Sequence, residues 1–245
     1  MIEAKPRSIP WSRVTVQTVG HTRIVQPRAV FYPMARAALY PMVKRWLDLV
    51  LSACLLVLLG PALTLIALAV KLDSRGPAIF RQKRVGKLGR EFTLFKFRSM
   101  HDHADEDVHR RFVKGYINGF GCRTGGHAVF KPAADTRVTR VGRWLRRTSL
   151  DELPQLINVL RGEMSLVGPR PSVDYEVAEY SDWHLQRLAV TPGMTGLAQI
   201  SGRSGLTFEK IVRLDLQYIE RRSLAVDLTI LLRTIPVVLK AKCAA

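Results

Sequence analysis

From Trp46 to Val70 the chain reads WLDLVLSACLLVLLGPALTLIALAV, with Asp48 as its only formal charge. No other feature limits the fold as strongly. As one helix this segment measures about 37 Å at 1.5 Å per residue, against roughly 30 Å of bilayer hydrocarbon. It lies well inside the chain and has no small-residue cleavage site, so it is expected to stay in the mature protein, unlike a secretory signal. Two features argue against a simple span. Gly60-Pro61 falls near the middle, where proline removes a backbone donor and crowds the preceding turn, so a break or kink is expected. Basic residues also flank both ends: Lys44 and Arg45 precede the segment, and Lys71, Arg75, Arg81, Lys83, Arg84, Lys87 and Arg90 follow it. A spanning helix should show Lys/Arg asymmetry. The pattern predicts a re-entrant helix over 44–72 that enters one leaflet, breaks at Gly60-Pro61 and returns. A proline-kinked spanning helix is the alternative.

The remainder of the 245-residue chain is strongly basic, giving a net charge of +18. That calls for a polyanionic partner: nucleic acid, an anionic membrane surface or a phosphorylated substrate. With 47% hydrophobic residues the chain is neither disordered nor collagen-like. Cys54, Cys122 and Cys243 are too scattered for a disulfide framework or a cysteine zinc site.

Residues 1–43 hold five prolines and no long periodic pattern, and read as a poorly structured basic arm. Residues 73–245 read as a domain of their own after the membrane segment. Ala78–Gln82 and Glu91–Phe97 look like two strands of a hairpin around Gly86 and Gly89. Residues 101–135 are polar and resist assignment. Helices are expected at Arg143–Arg147 and Leu153–Leu160, with Gly162 as a stop, and an extended segment at VGPRP. Phe208–Arg221 reads as an amphipathic basic helix. In Val226–Lys240, Leu228, Leu231, Leu232, Ile235 and Leu239 recur at helical spacing, which suits an interfacial or a core-facing helix equally.

The densest chemistry lies in RRTSLDELPQ, where Asp151 and Glu152 follow Arg146 and Arg147 at a helix start. Either Asp151 caps that helix, with Pro154 in its first turn, or Ser149 caps it with Glu152 closing a capping box. In both cases the helix N-terminus favours ionised carboxylates. Plain capping would explain the acids without any catalysis. Arg170, between Pro169 and Pro171, sits on a stiff extended backbone, so its fork can be aimed at a phosphate; a surface turn is the bland reading. Lys96 and Arg98 share a strand face by period two and suit a diphosphate, though exposed strands often carry such pairs. His101, His103, His109 and Asp102, Asp105, Asp107 have metal-binding side chains but match no strong zinc spacing. Neither GxGxxG nor GxxxxGK[ST] occurs.

Taken together, KRWLDLVLS, DSRGPAIFRQKRVG, FTLFKFRSM, TRVTRVGRWLRRTSLDELPQLINVLRGEMSLVGPRP, TPGMTGLAQISGR and LDLQYIERRSLAVDLTILLRTI resemble the bacterial sugar transferase family, from about Lys44 to Lys240. Its members are small monotopic phosphoglycosyl transferases. The resemblance implies a mainly α fold with a small β hairpin: a re-entrant helix-break-helix and interfacial amphipathic helices around a cytosolic catalytic domain. It places the protein at the bacterial inner membrane, facing the cytoplasm. Asp151 would attack the β-phosphate of a UDP-sugar, expelling UMP, and polyprenyl phosphate would take the sugar phosphate from Asp151. Glu152 would join Asp151 in holding Mg²⁺, while Arg146 and Arg170, and more weakly Lys96 and Arg98, would contact phosphates. Anionic lipid is an expected partner and nucleic acid is not. A homo-oligomer, the particular sugar and the pathway stay open. One departure is Gly60, where the family commonly has serine; glycine permits the bend but loses a side-chain bond to the freed backbone.

The competing reading is a membrane-anchored basic regulatory or nucleic-acid-binding protein without catalysis, and it would need aromatics interleaved with the charges. Only 8% of residues are aromatic. A degenerate scaffold is disfavoured by the intact Asp151-Glu152 pair.

Overall fold

The computed structural model describes residues 14–18, 21–25, 34–101, 106–117, 123–124, 127–128, 137–202 and 205–239. In chain order they form β1 (Val14–Thr18), β2 (His21–Val25), α1 (Met34–Asp73), β3 (Ile79–Val85), β4 (Glu91–Phe97), α2 (Glu106–Ile117), β5 (Arg123–Thr124), β6 (His127–Ala128), α3 (Arg140–Thr148), α4 (Gln155–Arg161), β7 (Ser165–Val167), α5 (Asp174–Ala178), α6 (Asp182–Leu185), β8 (Gly193–Thr195), α7 (Leu197–Ser201), α8 (Phe208–Arg221) and α9 (Leu224–Leu239). The fold is mainly helical, as expected, and among the described residues strands occur only in pairs. β3 and β4 form the predicted hairpin, in a register that runs from Ile79 opposite Phe97 to Val85 opposite Glu91. β7 and β8 pair in parallel, which the sequence did not suggest.

Two expectations for the N-terminal part are corrected. Residues 1–43 are not a uniformly irregular arm, because β1 pairs antiparallel with β2 and α1 already begins at Met34. Nor does Gly60-Pro61 interrupt α1, which runs through Pro41 and Pro61 as one 40-residue helix. Pro61 orphans a single carbonyl, that of Val57, and an interior helix tolerates one such loss when its other bonds persist. Thr64 Oγ1 donates to the Gly60 carbonyl at 3.0 Å, a back-bond of the kind that bends helices.

Residues 39–73 of α1 are long and apolar enough to cross a membrane, and most of that surface is bare: Val57, Leu58 and Leu72 are 81%, 76% and 79% exposed. A narrow stripe does the opposite. Asp48 and Ser52 are buried, and Leu56, Leu63, Ile66, Ala67 and Val70 pack on the domain, at the three- and four-residue spacing of one helix face. The cations before the apolar run are used in folding. Lys44 pairs with Asp227 of α9 at 2.8 Å, and Arg45 donates to the carbonyls of Val159 and Leu160, the last turn of α4, at 2.6 and 2.8 Å. Asp48 accepts from Leu166 N in β7. At the far end Asp73 accepts from Val141 N in α3. Both ends of the apolar helix are therefore tied by polar contacts to the same domain.

Among the described residues three apolar clusters fill that domain. The central one joins Leu94 of β4, Leu156 and Val159 of α4, Leu166 and Val167 of β7, Tyr218 of α8 and Ile230 of α9. A second packs Tyr116, Tyr180, Leu188, Phe208 and Val212, with Tyr116 OH donating to the Leu206 carbonyl. The third sets Phe97 and Leu145 against Val70. α9 answers both sequence readings at once: Ile230 is in the core, while Leu228, Leu232 and Ile235 are 58%, 59% and 55% exposed.

Candidate active site

The acidic pair sits in the tight connection between α3 and α4. Ser149 ends α3 in the left-handed region, at φ +59, with its N–H donated back to Arg146 O and Leu145 O. A 3-10 turn over Leu150–Glu152 follows, and α4 starts at Gln155 behind Pro154. Neither expected cap is formed: the Ser149 hydroxyl caps nothing, and Pro154 occupies the N-cap position with helical angles. Apolar anchors fix the turn instead. Leu150 packs on the Val70 cluster and Leu153 on the central one, so both ends of the turn are pinned and the two carboxylates between them face the site.

α4 is bolted to β4 by Asn158, which is fully buried. Its Nδ2 donates to Thr93 O and to Glu163 Oε2, both at 2.7 Å, and its Oδ1 accepts from Phe95 N at 3.1 Å. That clamp sets Lys96, one residue along β4, against the acidic turn. Glu152 Oε1 accepts from Lys96 Nζ at 2.9 Å and from Arg170 Nη1 at 3.1 Å. On α3, Gly142 lies so close to β4's end that an added Cβ would fall 2.1 Å from Ser99 O. The same approach brings Arg146 Nε to Ser99 Oγ at 2.8 Å.

Arg170 is held from both sides through its backbone. Gly168 N donates to Thr195 O and Gly193 N to Pro169 O, each at 2.8 Å. An added Cβ at Gly193 would stand 2.0 Å from Gly168 N, and one at Gly196 would stand 2.3 Å from Gly168 O, so this parallel contact needs glycine at both places. On the other side Val85 N donates to Ser172 O, and Arg84 Nη1 to Pro171 O at 3.1 Å.

The electrostatics divide the two acids. Burial alone would push the Glu152 carboxyl up, but Lys96 and Arg170, with their hydrogen bonds, hold it well below the usual carboxylate range. Burial raises Asp151; Lys96 opposes that, and the charge of Glu152 adds to it, leaving the carboxyl above its ordinary value. Arg146 and Arg170 also act on Asp151. Among the described residues no side chain or backbone group hydrogen-bonds to the Asp151 carboxylate. Glu152 is thus a locked anion, whereas the Asp151 carboxyl has oxygens that no described residue engages.

Of the residues singled out from sequence, Asp151, Glu152, Lys96, Arg146 and Arg170 converge. Arg98 does not. It is buried, its Nη2 donates to Val70 O and Ser74 O at 3.2 and 2.7 Å, and so it caps the end of α1 rather than facing the acids. Arg84, in sequence only one of the charges that flank the apolar segment, stands near Glu152, Arg170 and Glu176. The hairpin register could have found it, since Arg84, Gln82 and Lys96 share one face. Asp102, His103 and Asp105 of the histidine-aspartate run lie outside the described residues, and among the described residues no group of three metal-binding side chains occurs.

Two carboxylates suit Mg²⁺ only when phosphate oxygens and water complete its shell. The surrounding cations fit that limit, because they disfavour a lone cation and favour one that arrives with an anionic ligand.

Residues 39–241 match the family described as bacterial sugar transferase. Undecaprenyl-phosphate glucose phosphotransferase of Komagataeibacter xylinus is 46% identical over 204 residues, covering 78% of this chain and 35% of the relative. UDP-glucose:undecaprenyl-phosphate glucose-1-phosphate transferase of Caulobacter vibrioides is 44% identical over 214 residues, covering 83% of this chain and 72% of the relative. Exopolysaccharide production protein ExoY of Rhizobium meliloti is 40% identical over 211 residues, covering 85% and 92%. The chain spans only about a third of the Komagataeibacter protein and two fifths of the similar galactosyl transferase CpsE of Streptococcus agalactiae. With residues 39–241 matched, the chain belongs to the bacterial sugar transferase family.

Proposed function

We propose that this protein transfers a sugar 1-phosphate from a UDP-sugar to polyprenyl phosphate, releasing UMP, and so begins an exopolysaccharide or related glycan on its lipid carrier. The observation that carries the reading is Asp151: a carboxylate that no described residue hydrogen-bonds, beside a second carboxylate that Lys96 and Arg170 have locked. A carboxylate that attacks a diphosphate is an anion meeting an anion, so charge must be neutralised before position can help. Lys96, Arg146 and Arg170 supply that neutralisation.

In the first step an Asp151 oxygen bonds to the β-phosphorus, the bond from that phosphorus to the bridging oxygen breaks, and UMP leaves. In the second, an oxygen of polyprenyl phosphate attacks the same phosphorus and returns the carboxylate. Glu152 stays ionised, because Lys96 and Arg170 stand beside it. Asp151 and Glu152 would hold Mg²⁺, which supplies further neutralisation at the phosphates when bound. Arg170 and Arg146 orient the phosphoryl oxygens.

The acceptor's phosphate lies at headgroup level, so the site must work at a membrane surface. The bare outer face of α1 and the exposed leucines of α9 support that placement, with Arg and Lys contacts to anionic lipid adding about 1 kcal/mol each. We read α1 as entering the membrane only from the cytoplasmic face of the inner membrane: its two ends are tied to one domain, so both stay on the same side. The direct test is UMP release from a panel of UDP-sugars with polyprenyl phosphate and Mg²⁺ in lipid discs. Release with a sugar, abolished by Asp151→Asn, is expected; release from Asp151→Asn equal to that of the parent would end the reading.

A further inference from the structure

The segment around Arg170 is gripped by two other arginines, and they differ in one respect. Arg187 reaches Arg170 O with Nη2 at 3.5 Å, donates Nη1 to Tyr180 OH at 2.9 Å, and is neutralised by Asp215 at 2.5 Å in the interior. Its charge is spent inside the protein. Arg84 makes the matching contact to Pro171 O from the hairpin, but its other bonds go to a neutral group: Nε and Nη2 both donate to Gln82 Oε1, at 3.1 and 2.7 Å. Among the described residues no carboxylate lies within ion-pair distance of Arg84. A carbonyl and an amide could be held by a neutral donor, so a guanidinium kept here at a desolvation cost has a use for its charge.

Where that charge points follows from its neighbours. Arg84 shares the hairpin face with Lys96, and it stands within electrostatic reach of Lys96, Glu152, Arg170 and Glu176. Burial pulls the Arg84 guanidinium below its ordinary value, while Glu176 and Glu152 push it up and Arg170 pushes it down.

We propose that Arg84 is a positioning residue for Arg170 and part of the cationic field that receives the diphosphate of the nucleotide donor; this rests on the reading of the reaction given above. Through Pro171 O it fixes the rotation of the Arg170 segment, and through its charge it draws the anion toward the Arg170 fork. Arg187 is the rear support of the same segment and takes no part in binding.

A double-mutant cycle of Arg84→Gln and Arg170→Gln tests this in protein held in lipid discs, with Arg81→Gln on the exposed side of β3 as control. Two readouts are used: kcat and KM for UMP release, and calorimetric affinity for UDP without turnover. Arg84→Gln is expected to lower kcat/KM by about ten- to a hundredfold, as a small misplacement at a reacting centre does. In the double variant the loss should be no greater than for Arg170→Gln alone, because groups that act as a unit are not additive. Arg84→Lys, which keeps the charge and loses the fork, should recover UDP affinity but not kcat. Additive losses, or full recovery of kcat by lysine, would overturn the positioning role. UDP affinity unchanged in Arg84→Gln would overturn the field. If the parent protein binds UDP yet releases no UMP, the reaction reading has failed, while the cycle in UDP affinity still decides the role of Arg84.

Discussion

Asn158→Ala is the perturbation that most sharply separates the scaffold of the site from its chemistry. Asn158 touches none of the reacting groups, yet it joins the helix behind the acidic turn to the strand that carries Lys96. The substitution removes three hydrogen bonds, to Thr93 O, Glu163 Oε2 and Phe95 N, and leaves the two backbone groups unsatisfied in the interior. Net bond loss near 1 kcal/mol each, plus desolvated orphans, gives roughly 3–5 kcal/mol of destabilisation. For a domain of this size that is a fall of roughly 10 °C in melting temperature. Activity at a temperature where the variant remains folded should fall as well, because Lys96 is no longer registered against Glu152. Scanning calorimetry in detergent and UMP release in lipid discs measure the two effects. A melting shift under 2 °C, roughly the effect of less than 1 kcal/mol, with unchanged turnover would refute the idea that this clamp sets the site.

Other outcomes follow from the same contacts. Gly193→Ala should fail to fold in yield, since its methyl meets the Gly168 backbone, whereas Gly60→Ala, with open space around it, should leave stability unchanged or raise it by about 0.5–1 kcal/mol; thermal melts of the two compare them directly. The rate of UMP release should fall on the acid side with an apparent midpoint above that of an ordinary aspartate, because Asp151 must be ionised to attack and its folded value is raised. Lys96→Met removes the main opposing influence and should move that midpoint higher still; a profile that stays put or moves to lower pH would contradict the assignment. Arg98→Ala should cost about 1–3 kcal/mol of stability by uncapping α1 while leaving KM for the donor near that of the parent; a large rise in KM would return Arg98 to the site.

Much of the site is legible in the sequence, and the failures have physical causes. The hairpin, α8 and the Gly162 stop follow from alternation, periodicity and a residue at φ +83. The position of the acidic turn is legible but its capping is not, since the turn is fixed by Leu150 and Leu153 packing on separate clusters. Period two put Lys96 and Arg98 on one face; it could not tell that β4 ends between them and that the end of α1 offers carbonyls to the second. Lys44, Arg45 and Asp48 resemble membrane-flanking charges because their partners, Asp227, the last turn of α4 and Leu166, lie more than a hundred residues away. The parallel β7–β8 pair rests on Gly168, Gly193 and Gly196, and glycine carries no apolar period to read. Proline rules predicted an interruption in α1 where the loss of one hydrogen bond is absorbed.

The claim on which everything turns is that Asp151 becomes covalently attached to the sugar phosphate. Intact-mass analysis of the protein in lipid discs, given the active UDP-sugar and Mg²⁺ but no lipid acceptor, measures this most directly. The account predicts a mass gain equal to one sugar phosphate, accompanied by one burst equivalent of UMP, absent in Asp151→Asn and discharged on adding polyprenyl phosphate. An adduct that persists in Asp151→Asn, or turnover by the parent protein through rapid sampling with no adduct and no UMP burst, would contradict it.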